Sequence, residues 1–209
     1  MIIWAQAALL GAAYLVLDDD AFLVWDAKHA RAVALAGRVS GQVGKSFDFR
    51  VTATDRSYNF KLRATWLTPL TIQALARLEQ VSKALSLAET RSLVSDGLAA
   101  GKIVIQIEID PREGSGIIPN DWIALLGPME KSAGGKVVRG ISHPKLRDFP
   151  ALAPVSPRDY SYEIFWVVFP AVSEDGQHLF SSTDTEAELS VRIQGKVGKV
   201  RLRIPEAAR

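Results

Sequence analysis

The chain has 209 residues, 48% of them hydrophobic and 23% charged, with a formal net charge of +2. That balance fits one large or two small packed domains, excludes a disordered chain, and is too weakly basic to imply a polyanion partner by itself. There is no cysteine, which removes disulfides, thiolate nucleophiles and Cys-ligated metal centres.

Residues 1–17 are apolar except for Gln6, and Asp18-Asp19-Asp20 ends the run. A stretch of this length sits at the short edge of what spans a bilayer as a helix. It reads in three ways: an uncleaved anchor with Trp4 and Tyr14 near the two interfaces, a secretory signal in which Ala5-Gln6-Ala7 resembles a cleavage site, or a buried element of the fold. The first basic residue is Lys28, so the basic start of an export signal is missing. The acidic triplet lacks the spaced ligands and glycine of a calcium loop and reads as a solvated end.

Residues 21–36 suit either a helix capped by Asp20 or a strand carrying His29, Arg31, Val33 and Leu35. Gly41 and Gly44-Lys45 read as punctuation before strands. Phe47, Phe49 and Val51 then alternate with polar residues, as do Tyr58, Phe60, Leu62, Ala64 and Trp66. Both read as strands with one apolar face.

The period changes at Thr68-Pro69, a hydroxyl cap followed by proline in the first turn. Ile72, Leu75, Leu78, Val81 and Leu85 recur at helical spacing, with Glu79 and Lys83 as an i,i+4 pair expected on the exposed side. Ser86 and Glu89 have capping-box spacing and open a second helix carrying Leu87, Leu93, Val94 and Leu98, with Gly101 as its terminator. Ile103, Ile105, Ile107 and Ile109 follow in strict alternation, and Asp110-Pro111 ends that strand.

From 113 to 159 the chain is rich in Gly and Pro, with short strands expected at 122–126 and 136–141. So long a loop-like stretch in a compact domain either weakens the assignment of elements there or marks a functional surface. Residues 160–169 form a strand whose second half is apolar on both faces, so it needs cover on both sides. The helical pair is the expected cover over Phe165, Val167 and Phe169. The last strands carry Leu189, Val191 and Ile193, then Val200, Leu202 and Ile204, on either side of a turn placed at 195–198. They are read as one sheet with 160–169, the sheet the rest of the chain supports.

The architecture these patterns imply is mainly β within the α+β class: an antiparallel, sandwich-like sheet with a helical pair inserted at about 68–100 between two strands. Residues 21–209 form one β-rich domain behind the hydrophobic segment 1–20. In general shape the strands and turns resemble immunoglobulin-like or fibronectin-like sandwiches, without a Cys–Trp–Cys pattern.

The chain holds no Walker loop, dinucleotide fingerprint, Gly-x-Ser-x-Gly elbow or HExxH. His29, His143 and His178 stand far apart and read as surface or loop residues. Glu108 and Asp110 share a strand face at a spacing that suits a carboxylate pair, and the plainer reading is an exposed face running into a turn. No catalytic residue, metal or cofactor is assigned. The binding candidates are Arg192, Lys196, Lys199, Arg201 and Arg203 on the C-terminal hairpin, and Trp122 in the middle segment. The basic face suits phosphates, lipid headgroups or an acidic protein, or protects a sheet edge from aggregation. It lacks the exposed aromatics of a single-strand nucleic-acid platform, so nucleic acid is disfavoured.

These features lead to a non-catalytic binding or structural module, a subunit or adaptor of a bacterial cell-envelope or membrane-associated assembly. It would have a protein partner and membrane contact through residues 1–17. The alternatives are a soluble cytoplasmic enzyme with its site in the 113–159 loops, using His143, and a polyanion-binding module using the hairpin.

Overall fold

Alternating apolar residues in separate segments assemble two antiparallel sheets that face one another. The computed structural model describes residues 20–43, 60–111, 118, 121–129, 136–143, 163–173 and 175–209. Within them β1 (Arg38–Val43), β2 (Phe60–Trp66), β3 (Ile103–Pro111), β7 (Glu163–Phe169) and β6 (Ile141–Ser142) form sheet I, in the order β1-β2-β3-β7-β6. The strands β5 (Val138–Arg139), β4 (Ile123–Pro128), β8 (Glu186–Ile193) and β9 (Lys196–Arg203) form sheet II in that order. The class is therefore α+β, with a helical pair between β2 and β3, as the sequence pattern implies.

The main core lies between the sheets. Phe60, Leu62 and Ala64 of β2 and the four isoleucines of β3 meet Leu126, Leu189, Val191, Ile193, Val200 and Leu202 of sheet II. Burial of such side chains is the dominant favourable term in folding.

The sandwich is drawn together on both sides. On one, β1 runs against β9, and a Cβ on Gly41 would stand 3.1 Å from the Lys199 carbonyl. On the other, the chain leaves sheet II after β5 and enters sheet I at β6 through Gly140. A Cβ there would lie 2.6 Å from the Phe169 ring, so the corner admits only glycine without displacement.

A helical layer covers part of the far face of sheet I. The helix α1 (Ala27–Leu35) begins at Asp26, whose carboxylate accepts the His29 N–H at 2.7 Å. Helix, not strand, is thus the outcome for this segment, and its cap is Asp26 rather than Asp20. Asp20 instead pairs with Arg91, whose hydrogen bond holds the carboxyl below its ordinary value. The helix α2 (Pro69–Lys83) starts at the Thr68 cap, and α3 (Leu87–Ala99) at a complete Ser86–Glu89 capping box. That box also lowers the Glu89 pKa, chiefly through the Ser86 hydroxyl. Phe22, Ala30, Ala34, Ile72, Leu75 and Val94 form a second core with Val104 and Trp166.

Several expectations are corrected. The strand 160–169 and the hairpin belong to different sheets. The helices pack over Trp166, with Ile164 and Val168 at the margin, and not over Phe165, Val167 and Phe169, which face sheet II. Both faces of β7 are indeed covered, and the assignment of faces is reversed. The hairpin turn is the two-residue Gln194-Gly195, both at positive φ (43° and 77°), the backbone that matches strand twist in tight hairpins. Glu79 is buried although its partner Lys83 is exposed. The approach 38–43 is itself a strand. The strand expected at Phe47–Val51 and the segment 1–17 lie outside the described residues, among which no helix is long and apolar enough to cross a membrane.

Candidate functional site

The outward face of sheet II carries a row of exposed charge. Alternation in β9 turns Val200 and Leu202 inward and leaves Lys199, Arg201 and Arg203 exposed. Register sets Glu188 opposite Arg201 and Glu186 opposite Arg203, and Lys199 Nζ lies 2.7 Å from Glu188 Oε1. Across the sheet, Arg192 stands between Val197 and Ile123, and Arg139 of β5 stands opposite Leu125. Five cations (Arg139, Arg192, Lys199, Arg201, Arg203) against two acids (Glu186, Glu188) leave a surplus of three positive charges. Ile123, Leu125 and the exposed Val197 lie among them.

Of the six binding candidates from the sequence, four share this face. Lys196 pairs with the buried Ile193 at the turn, on the inward parity, and is half-buried. Trp122 packs on the inter-sheet core, its ring centroid 4.7 Å from that of Phe165. Arg139 and Glu186 belong to the face and are not among the six. Arg139 joins the face only through the β5–β4–β8 pairing, which no local pattern announces. Glu186 was legible as the residue two before Glu188 on one strand.

The far face of sheet I holds a buried polar cluster. Glu108 and Asp110, expected to be exposed, are fully buried. Register places Arg63 beside Glu108 and Lys61 beside Asp110. The Arg38 guanidinium of β1 donates to Glu108 Oε1, which also accepts from Gln106 Nε2 at 3.1 Å. Arg63 Nη1 lies 4.0 Å from Glu108 Oε2, and Lys61 Nζ lies 3.9 Å from Asp110 Oδ2. Three cations thus stand beside two carboxylates, so each buried carboxylate has a charge partner.

A groove of about 740 Å³ opens beside β5 and the turn after β7. The Lys136 ammonium bonds Asp175 across its mouth, and the Ser173 hydroxyl donates to Asp175 Oδ1 at 2.5 Å. These bonds, Lys136 first, depress the Asp175 pKa from 3.8 to about 2. The same hydroxyl is 2.9 Å from the Gln177 carbonyl, so Ser173 is engaged in closing the turn. The three histidines are dispersed: His29 on α1 is edge-on to Trp25, His143 follows β6, and His178 bridges Val172. Most of the 113–159 stretch lies outside the described residues.

No protein-family model, curated protein or solved structure matches this chain.

Proposed function

We propose that the protein is a non-catalytic protein-binding module whose docking face is the outward side of sheet II, fitted to an acidic patch on a partner protein. One observation carries the reading. Of the four sheet faces, two pack on each other, the third lies under the helices or holds buried charge pairs, and among the described residues only the fourth is largely exposed. That face has a positive surplus and aliphatic residues between its charges. Complementary charge steers association and selects partners, while the apolar residues supply contact area. The reading includes placement in a bacterial cell-envelope or membrane-associated assembly, with residues 1–17 as the anchor or export segment.

The test is photo-crosslinking in cells from Ser190, in the middle of the face, with Gln177 as an off-face control. A discrete protein adduct from Ser190 alone, reduced about tenfold or more by Arg192→Glu with Arg201→Glu, is the expected result. An adduct indifferent to both substitutions would remove the face from the proposal. Binding to DNA or anionic vesicles that falls steeply with salt and is abolished by Arg201→Gln with Arg203→Gln would favour the polyanion alternative. Fractionation of the same cells checks the location: an intact chain in the cytosol would sink the envelope part.

A further inference from the structure

We propose that the cleft where the end of α1, the junction of β2 with α2 and the end of β9 meet binds a small amphipathic organic anion, of the class of medium-chain carboxylates. The cleft encloses about 490 Å³, within the range of about 300–1,000 Å³ typical of small-ligand sites. Trp66, Leu70 and Pro205 give it apolar walls. Leu70 is 40% exposed, so a hydrocarbon chain lying there removes aliphatic surface from water.

The polar end is cationic. Arg203 and Arg209 line the cleft, and among the described residues Glu206 is the one acidic side chain in its lining. Arg209 Nη2 donates to the Ile204 carbonyl at 3.1 Å, which fixes the guanidinium at the wall with one of its five donors. Among the described residues neither arginine forms an ion pair, whereas Arg38 and Arg91 are each held by a carboxylate. A guanidinium with free donors beside an apolar wall matches a ligand with one carboxylate and one hydrocarbon tail, because the planar fork takes a carboxylate in two parallel bonds.

The experiment is a titration of the full chain with sodium octanoate, and in parallel with 1-octanol, followed by the Trp66 indole and Leu70 amide resonances. Octanoate is expected to shift both saturably and to bind about tenfold tighter than octanol. Arg209→Gln should bring octanoate to the level of octanol, and Leu70→Glu should abolish binding by setting a like charge in the cleft. Arg192→Gln with Arg201→Gln, on the docking face but outside the cleft lining, should leave octanoate binding unchanged, so this site and the docking face fail separately. Absence of a saturable shift, equal affinity for the two probes, or undiminished octanoate binding by the Arg209 variant would overturn the proposal.

Discussion

The two faces of β3 are buried alike and built from opposite chemistry. Ile103, Ile105, Ile107 and Ile109 face sheet II, while Val104, Gln106, Glu108 and Asp110 face away from it, and none of the eight is more than 1% exposed. The isoleucines stabilise through apolar area, about 1.5–3 kcal/mol for each buried side chain. The other face becomes polar immediately after Val104 and is tolerated because β1 and β2 present Arg38, Arg63 and Lys61 at the matching register. A buried ion pair of this kind adds little net stability, yet it is costly to break, since the surviving partner keeps its desolvation penalty. The comparison separates burial from hydrophobicity: one strand carries a stripe that drives folding and a stripe that is destabilising unless its partners are aligned.

The sharpest break of that comparison is Glu108→Ala. It removes the acceptor shared by Arg38 and Gln106 and should cost about 3–5 kcal/mol, as for one partner of a buried pair. The matched change on the opposite face, Ile107→Ala, leaves a cavity and should cost about 2–5 kcal/mol. Urea unfolding measures both. A Glu108→Ala cost below about 1 kcal/mol, the range of solvent-exposed pairs, would mean that water reaches this face.

Replacing both partners separates the two effects. Arg38→Met with Glu108→Leu leaves no lone charge from that pair, and its stability should lie near that of the parent or up to about 1–4 kcal/mol above it. The cycle formed with the two single variants gives the coupling between the residues. A residual deficit in the double variant would measure the share of Arg63, the next cation, 4.0 Å from Glu108.

These faces also mark how much the sequence carries. Strand alternation at 60–66 and 103–110, the Thr68 and Ser86 caps and the apolar side of the hairpin are local signals, and the structure follows each of them. What local signals omit is which element lies over a face. An alternating Gln106, Glu108, Asp110 stripe looks solvent-facing because charged residues are rarely buried unpaired, and its pairing depends on registers between distant segments. The same limit produced the reversed faces of β7, where Phe165, Val167 and Phe169 are as apolar as Ile164, Trp166 and Val168. Lys199, Arg201 and Arg203 were legible as one exposed row. Glu186 and Glu188 are legible as neighbours on the adjoining strand, whereas the exact partners within the hairpin and the cross-sheet neighbour Arg139 follow only from strand pairing.

The smallest expected effect sharpens the comparison from its other side, with an ion pair left in water. Lys136–Asp175 closes the groove beside β5, and about half of the Asp175 side chain is exposed. Its carboxyl is held at about 2 against an ordinary 3.8, first by the Lys136 ammonium and then by the Ser173 hydroxyl. A depressed folded-state value means that the native state binds the proton less readily than the unfolded chain does. The contribution is therefore fully present above about pH 4 and is lost as pH falls through about 2. Asp175→Asn should lower stability slightly at neutral pH, and the difference from the parent should vanish across that acid window and shrink with added salt. A difference that persists below pH 2 unchanged would assign the effect to the hydrogen bonds of the turn around Ser173 rather than to charge.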